Sequence, residues 1–333
     1  MEPLIDVRHL TVDLRSSRGT VRAVDDVSFE VLPGEALGVV GESGSGKTTM
    51  LRAILGLLPV GSRIVSGEIL FEGRDLVALP ARQLREVRGR AIGMIFQDPM
   101  TALNPVMRVG DQIAEAPRRR LGQSGRGSRD AALRLMTAVG IADPRRRARA
   151  YPHELSGGMR QRVVIAMALA GQPRLLLCDE PTTALDVTIQ DQILRLLSGA
   201  RSQIGAGMVY VTHDLSVIAQ TCRRLAVMYA GELVEAGNVA DVFARPRHPY
   251  TRGLLESLPD AMRPGQALRP IAGAPPNLAD PPAGCRFHPR CPFVQADCVE
   301  GQFPLMDIEP GRATACIHYD LLVGLPNAIA RDS

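Results

Sequence analysis

The 333-residue sequence contains no tryptophan, and only 4% of its residues are aromatic. Single-stranded nucleic acid is usually bound by stacking bases on aromatic side chains, so we expect no nucleic-acid partner of that kind, although binding to phosphates alone stays open. No stretch of the sequence approaches the roughly 18 consecutive apolar residues of a membrane-spanning helix, and the N-terminus shows no basic segment followed by an apolar one. The sequence therefore predicts neither a membrane-spanning protein nor one exported by a standard signal.

Extreme charge is also missing. The net charge is +4, with 45% hydrophobic and 22% charged residues. This composition is ordinary for a packed globular protein and argues against disorder and against a polybasic binding protein. The length predicts about two domains of roughly 100–200 residues each.

The six cysteines fall into two groups. Cys178 and Cys222 each stand alone in apolar surroundings, and we expect both to be buried. The other four lie in the last sixth of the chain, at Cys285, Cys291, Cys298 and Cys316. In a protein of a reducing compartment, such a cluster more often binds metal than forms disulfides. Successive members are 6, 7 and 18 positions apart, unlike the two short Cys-x-x-Cys pairs of common zinc ribbons. A four-iron four-sulfur cluster, zinc and reduced unliganded thiols remain the alternatives.

The periodicity of the apolar residues predicts an α/β fold. Alternating patterns over 5–14 and 24–31 predict antiparallel strands, and a buried strand over 36–40 leads into a helix over 47–58. Two further buried strands are predicted over 175–178 and 208–212. Strands that alternate with helical segments favour a mainly parallel sheet flanked by helices, which binds ligands at the carboxyl ends of its strands.

Two changes of composition suggest the domain organisation. Between about Arg108 and Ala150 the chain is rich in Arg, Ala, Gly and Leu, and we place a helical insertion at about 98–165. Beyond about Phe243 prolines become dense, which predicts a loop-rich appendage. We therefore expect a first domain over 1–242 and a C-terminal extension over 243–333.

The segment Gly41-Glu42-Ser43-Gly44-Ser45-Gly46-Lys47-Thr48 has the pattern of a phosphate-binding loop between a strand and a helix. Its glycines allow backbone N–H groups to surround phosphate oxygens, and the following helix directs its positive dipole end at the same anion. Lys47 would neutralise the β- and γ-phosphates, and the Thr48 hydroxyl would bind Mg²⁺. The predicted phosphate-binding residues are Gly41, Ser43, Gly44, Ser45, Gly46, Lys47, Thr48 and Thr49.

An acidic pair at the end of the strand over 175–178 completes this chemistry. Asp179 supplies the carboxylate oxygens that Mg²⁺ prefers. Glu180 is a candidate to polarise the attacking water.

These motifs, together with Ser156-Gly157-Gly158 placed 23 residues before Asp179, resemble the nucleotide-binding subunit of ATP-binding cassette (ABC) transporters. The family's other motifs follow in order, with a glutamine loop at Gln97, a D-loop at Ala184-Leu185-Asp186 and a switch histidine at His213. The resemblance implies a P-loop ATPase cassette that hydrolyses Mg²⁺-bound ATP. It also implies that Gln97 senses Mg²⁺ and water, that Glu180 is the general base, and that His213 holds the γ-phosphate and the water.

The same resemblance implies that two cassettes clamp ATP between them. The signature residues Ser156, Gly157, Gly158 and Gln161 would contact ATP bound to a second ABC ATPase, a related but different chain, and Asp186 would couple the two sites. Ser156 is expected to cap a helix whose free N–H groups face that phosphate. Relatives usually stack an aromatic residue on adenine, but Ser17-Arg18-Gly19-Thr20-Val21-Arg22 has none. Arg18 is a candidate to cover the base, with a solvated hairpin turn as the alternative.

The C-terminal part resembles the extension of the oligopeptide and dipeptide importer ATPases, a branch that includes nickel importers. The resemblance rests on His248-Pro249-Tyr250-Thr251 and on Gly284-Cys285-Arg286-Phe287-His288-Pro289-Arg290-Cys291-Pro292. It implies peptide import at the cytoplasmic face of the membrane, with two permease subunits and an extracytoplasmic solute-binding protein as partners. Nickel or another small solute is the alternative cargo, and a soluble ABC ATPase the alternative class. The resemblance also favours the iron–sulfur cluster among the alternatives for the four cysteines.

Overall fold

The computed structural model describes residues 2–16, 19–182, 187–258 and 270–324. The strands are β1 (Ile5–Ser16), β2 (Gly19–Val31), β3 (Ala36–Val40), β4 (Arg63–Phe71), β5 (Arg74–Asp75), β6 (Ile92–Ile95), β7 (Leu175–Asp179), β8 (Gly207–Thr212), β9 (Arg224–Tyr229), β10 (Glu232–Asn238), β11 (Met306–Glu309) and β12 (Arg312–Thr314). The helices are α1 (Lys47–Ile54), α2 (Ala81–Val87), α3 (Pro99–Ala102), α4 (Val109–Arg120), α5 (Gly125–Ala138), α6 (Pro144–Arg147), α7 (Gly157–Leu169), α8 (Val187–Ile204), α9 (Leu215–Thr221), α10 (Val239–Ala244) and α11 (Pro249–Glu256). Within these described ranges, no helix combines the length and the apolar character needed to cross a bilayer.

The chain divides into two compact units. The first consists of Met1–Leu4, Val31–Ala36 and Ala78–Val211, and the second of Ile5–Glu30, Leu37–Val77 and Thr212–Ser333.

The first unit contains three parallel strands in the order β6-β7-β8, together with helices α2 to α8. Ile95 of β6 pairs with Cys178 of β7, which in turn pairs with Tyr210 of β8. Every residue of β7 is buried, as in a sheet covered on both faces. The segment over 98–165 is helical along much of its length, and within it α7 packs against α3, α4 and α5.

The second unit contains two sheets. One has the order β2-β1-β4-β5, so the strands predicted over 5–14 and 24–31 are neighbours as β1 and β2, and β1 also pairs antiparallel with β4. The other has the order β3-β9-β10-β12-β11, in which only β3 and β9 are parallel. The predicted parallel core is confirmed by the β6-β7-β8 pairs and by the β3–β9 pair, and β10, β12 and β11 add antiparallel pairs beside β9 that were not predicted. A two-residue turn at Ala230-Gly231, both with positive φ, reverses the chain between β9 and β10. It lacks the Asn-Gly or Asp-Gly signal that identifies such turns from sequence.

Helix α1 is shorter than the predicted 47–58. It ends at Ile54 because Gly56 takes the left-handed conformation, with φ of 58°. The N–H groups of Gly56 and Leu57 then donate to the carbonyls of Ala53 and Arg52, over 2.9 and 2.8 Å, which closes the helix end. Cys178 and Cys222 are buried, as predicted.

Candidate functional site

The phosphate loop lies in the second unit, between the buried strand β3 and the first turn of α1. Gly46 has φ of 105°, and a Cβ there would lie 2.2 Å from the carbonyl oxygen of Ala23. A Cβ at Gly41 would similarly lie 2.1 Å from the carbonyl oxygen of Met228. Both glycines are therefore required by close backbone packing as well as by the turn itself.

Lys47 points back into this loop from the start of α1. The residue is only 4% exposed, and its Nζ donates to the carbonyl oxygens of Gly41 and Glu42 at 2.8 Å each. It also lies 3.2 Å from the Ser45 Oγ. Ser43 and Gly44 are exposed at the tip of the loop, and Thr48 and Thr49 are half-buried in the first turn of α1. The ammonium is therefore held at the mouth of the loop, where an anion would meet a positive charge.

His213 follows β8 directly and also belongs to the second unit. Its side chain is exposed. The next residue, Asp214, caps α9 by accepting a hydrogen bond from the Ser216 N–H at 2.8 Å. This cap defines where the chain turns after the strand.

Asp179, Glu180 and Gln97 lie together in the first unit. Asp179 is the last residue of β7 and is 1% exposed, and Glu180 follows it with φ of 44°. The N–H of Glu180 donates to the carbonyl of Val211 at 2.9 Å. Gln97 lies just beyond the end of β6, and its Nε2 donates to Glu180 Oε2 at 3.4 Å. Because β6 and β7 are parallel neighbours, their carboxyl ends bring these two side chains side by side.

The signature segment begins helix α7. Ser156 is the N-cap, and its Oγ accepts a hydrogen bond from the Met159 N–H at 3.3 Å, as the sequence predicts. A Cβ added at Gly157 would meet nothing within 4 Å, so this end of the helix is open. Gln161, which was also expected to contact the partner's ATP, is buried, and its Nε2 donates to the carbonyl of Pro181 at 2.8 Å. Gln161 therefore ties α7 to the segment that follows Glu180.

Two predicted residues lie outside the described part of the chain. They are Asp186 of the D-loop and Arg18, the candidate to cover the adenine.

The four C-terminal cysteines line one pocket in the second unit. They share it with three phenylalanines and with His248, His288 and His318, and the cysteines are Cys285, Cys291, Cys298 and Cys316. The Cys285 N–H donates to the carbonyl of Cys298 at 2.9 Å. The Asp297 carboxylate, the Cys298 Sγ and a ring nitrogen of His318 also lie within 4.8 Å of one another. Soft sulfur and imidazole donors in one pocket fit a soft or borderline metal.

Burial lowers the acidity of three of these thiols. It raises the pKa of Cys285 to about 11 and that of Cys316 to about 12, and it also raises the pKa of Cys291. The neighbouring cysteines add to each rise, because several thiolates would repel one another. Without a bound cation these thiols stay protonated at neutral pH.

One contact was missed by the sequence analysis. Arg290, which precedes Cys291, forms an ion pair with Glu42 of the phosphate loop at 2.7 Å. An arginine in a proline-rich segment carries no local signal of a partner 248 positions away.

Comparison with known proteins agrees with this geometry. A family model described as ABC transporter matches residues 24–183, and a model described as oligopeptide/dipeptide transporter, C-terminal region, matches residues 234–298. The chain is 51% identical to "Probable peptide ABC transporter ATP-binding protein y4tR" of Sinorhizobium fredii over 97% of both chains. It is 49% identical to "Dipeptide transport ATP-binding protein DppD" of Bacillus subtilis, over 90% of this chain and 89% of the relative.

A solved structure supports the same assignment. The dimeric, ADP- and phosphate-bound form of the ATP-binding cassette MJ0796 has a TM-score of 0.64 and 30% sequence identity, over 71% of this chain and 98% of that one. The predicted P-loop ATPase cassette is thus confirmed. On the combined motifs, site geometry and similarity, the chain belongs to the ATP-binding proteins of ABC transporters and has the C-terminal region of the oligopeptide/dipeptide transporter branch.

Proposed function

We propose that this chain hydrolyses ATP to power the import of oligopeptides or dipeptides through an ABC permease. The observation that carries the proposal is the Lys47 ammonium, held by two carbonyls at the mouth of the phosphate loop. The names of the Sinorhizobium and Bacillus relatives, which refer to peptide and dipeptide transport, support the cargo.

The proposed chemistry divides the site into a binding part and a reacting part. The loop from Gly41 to Thr49 binds the phosphates. Thr48, Gln97 and Asp179 would hold Mg²⁺, which would supply positive charge to the phosphate oxygens. The oxygen of a water attacks the γ-phosphorus, the bond from that phosphorus to the β–γ bridging oxygen breaks, and the Glu180 carboxylate accepts the proton of the water. His213 holds the γ-phosphate and the water in line.

Two cassettes act together in this proposal. The segment Ser156-Gly157-Gly158, with Gln161 behind it, contacts ATP bound to a second, related ABC ATPase, and Asp186 links the two sites. Backbone N–H groups at the start of α7 then form charge-assisted hydrogen bonds with the γ-phosphate of the partner's nucleotide. Hydrolysis removes these bonds, so the pair of cassettes closes and opens with each ATP cycle.

The proposed assembly is peripheral to the cytoplasmic face of the membrane. The domain over 1–242 carries the ATPase, and the helical insertion over about 98–165 receives the cytoplasmic helices of two permease subunits. An extracytoplasmic solute-binding protein delivers the peptide. The extension over 243–333 forms the second domain.

The extension also holds the proposed iron–sulfur cluster. Cys285, Cys291, Cys298 and Cys316 would be its four ligands, since all four line the same pocket. A bound cluster would supply the cationic charge that keeps the half-buried thiols deprotonated, and it would stabilise a segment with little apolar core of its own.

Reconstitution tests the ATPase and its cargo. The assembled complex, placed in vesicles with its solute-binding protein, should accumulate di- and oligopeptides only when ATP is hydrolysed. The isolated chain should be mostly monomeric with slow turnover, because each site is completed by a partner. ATP hydrolysis without peptide accumulation would contradict the cargo, and rapid hydrolysis by a strictly monomeric preparation would contradict the shared site.

Anaerobic purification tests the cluster. Iron and sulfide analysis, with absorbance near the iron–sulfur charge-transfer bands, should detect about four irons per chain. Cys298→Ser should lose them, whereas Cys222→Ser, at a buried cysteine outside the pocket, should retain them. A colourless, iron-free wild-type protein would rule the cluster out.

A further inference from the structure

Glu42, the second residue of the phosphate loop, is held at all three of its polar groups. Its carboxylate bonds to Arg290, its N–H donates to the Tyr250 hydroxyl, and its carbonyl accepts from Lys47. Two of these three partners belong to the C-terminal extension. We propose that Arg290 is a positioning residue for the phosphate loop, supported by Tyr250, and that through Glu42 the extension controls how tightly the loop binds nucleotide.

Arg290 is built to hold one carboxylate in one orientation. Its Nη1 lies 2.7 Å from Glu42 Oε2 and its Nη2 lies 3.0 Å from Glu42 Oε1, which is the two-pronged geometry of a guanidinium and a carboxylate. The arginine side chain is 5% exposed and the Glu42 side chain 27%, so water reaches this pair mainly from the glutamate side. The ion pair accordingly raises the pKa of Arg290 further above its ordinary value, with the hydrogen bond to Glu42 as the main cause.

The guanidinium itself has little freedom to move. Its Nε donates to the carbonyl of Ala272 at 2.9 Å, and it lies 5.8 and 5.9 Å from the ring centroids of Tyr229 and Phe287. The backbone N–H of Arg290 donates to the carbonyl of Phe287 at 2.9 Å, within the short turn that connects Cys285 to Cys291. The fold of the cysteine-bearing segment therefore determines the position of the Arg290 side chain.

Tyr250 supplies the second contact from a rigid position. Its hydroxyl accepts the Glu42 N–H at 2.8 Å, and its ring is fully buried against Tyr229 and Phe287, at 4.5 and 5.4 Å between centroids. Arg290 and Tyr250 thus both contact the rings of Tyr229 and Phe287. Through these two residues, the backbone and the side chain of Glu42 are both fixed relative to the same pair of rings.

The consequence for nucleotide binding passes through Lys47. Its Nζ donates to the Gly41 carbonyl, which belongs to the same peptide group as the Glu42 N–H bound by Tyr250, and to the carbonyl of Glu42 itself. If Glu42 is released, the loop can adopt other conformations, and the bound form must be selected from them at a cost in affinity. The inference rests on the proposed function, since it concerns the affinity of the same phosphate loop.

A double-mutant cycle on the purified full-length chain tests the proposal. Calorimetry would measure the Kd for MgADP of wild type, Arg290→Gln, Glu42→Gln and the double variant, and hydrogen exchange would measure opening at the amides over 42–47. We expect each single substitution to raise the Kd about tenfold and the double variant to raise it no further. Arg290→Lys retains the positive charge but cannot form the two parallel hydrogen bonds, so it should recover part of the affinity that Arg290→Gln loses.

Two further variants separate positioning from general destabilisation. Tyr250→Phe keeps the buried ring but removes the acceptor, and it should also raise the Kd and speed loop exchange. Arg252→Gln breaks a 2.7 Å ion pair with Glu256 within α11 and should leave the Kd unchanged. If Arg290→Gln and Tyr250→Phe lower the melting temperature but bind MgADP as wild type does, or if the two effects in the cycle add in full, the proposal is overturned. A wild-type chain that binds no MgADP would instead overturn the proposed function.

Discussion

Gln97 and Glu180 are joined by a hydrogen bond from Nε2 of the amide to Oε2 of the carboxylate, 3.4 Å long. The two residues follow the neighbouring parallel strands β6 and β7, whose register pairs Ile95 with Cys178. A carboxylate oriented in this way suits a group that takes a proton from an attacking water.

Replacement of Glu180 by Gln should stop hydrolysis and spare binding. An amide cannot accept the proton, so we expect phosphate release by the assembled transporter to fall by about 100-fold or more. ATP should still bind and should hold the cassette pair closed. Phosphate release, and the amount of ATP retained by the complex, measure the two effects.

The matched control for this substitution is Asp191→Asn on α8. Asp191 forms a surface ion pair with Arg195 at 2.8 Å, so its loss removes a carboxylate of the same unit without touching the site. Normal turnover by Glu180→Gln would show that another group acts as the base.

The substitution Gly157→Asp should impair hydrolysis at the shared site without affecting the folding of the chain. The position is open, and a negative charge in the first turn of a helix is favourable, so Gly157→Asp should fold and bind MgADP normally as a single chain. In the complex, the carboxylate would face the partner's γ-phosphate. We expect hydrolysis there to fall by at least about tenfold.

Gly125→Asp is the matched control, because Gly125 is also the first residue of a serine-capped helix and also has open space around it. It should leave ATP turnover by the complex unchanged. Equal turnover by both variants would count against contact between the start of α7 and nucleotide.

The buried ion pair between Arg312 and Glu235 predicts a pH-dependent loss of stability. Their charged atoms are 3.3 Å apart, with side chains 3% and 0% exposed. Arg312→Met should destabilise the fold by about 3 kcal/mol at pH 8, because the buried carboxylate loses its positive partner and keeps the N–H groups of Arg247 and His248 as donors. Burial already raises the pKa of Glu235, and an acid whose folded pKa is raised loses stability as pH rises. The loss should therefore be smaller at pH 5 than at pH 8, because lower pH favours the protonated, uncharged form of Glu235.

Urea denaturation at the two pH values measures this difference. Arg245→Met serves as the control, since Arg245 pairs with Asp241 across 3.9 Å at an exposed site. We expect this substitution to lower the free energy of unfolding by less than about 1 kcal/mol. An equal loss at pH 5 and pH 8 for Arg312→Met would contradict the role assigned to the Glu235 charge.

His248 predicts a second pH effect, of opposite sign. Burial lowers its pKa to about 3, and its Nδ1 accepts the Tyr250 N–H at 3.1 Å, so the folded state keeps the ring neutral. As pH falls below about 6.5, the unfolded chain takes up a proton that the folded chain does not, which costs about 1.4 kcal/mol per pH unit. His248→Asn retains an acceptor but does not titrate. Its free energy of unfolding should fall less steeply than that of wild type between pH 6 and pH 4.

The slope is the informative quantity in this experiment, because the smaller side chain also leaves a cavity that lowers stability at every pH. Urea titrations at four or five pH values measure it. Parallel curves for wild type and His248→Asn would show that His248 does not contribute to acid unfolding.

Much of the candidate site could be predicted from local sequence patterns. The phosphate loop, the acidic pair at the end of β7 and the cap at Ser156 were predicted, because a turn, a strand end and a helix start depend on neighbouring residues. The end of α1 was placed four residues too late, since the left-handed Gly56 closes the helix before the apolar run is over. The antiparallel strands β10 to β12 were not foreseen, because the Ala230-Gly231 turn has a weak sequence signal.

The order of motifs alone was enough to identify an ABC cassette of the oligopeptide/dipeptide transporter branch, since glycines, a lysine and carboxylates at fixed spacing carry the chemistry of a phosphate site. The pairing of Gln97 with Glu180, 83 positions apart, and of Arg290 with Glu42, 248 positions apart, emerged from folding. Strand register and the packing of buried rings bring such residues together, and neither is encoded in the residues next to them in the chain.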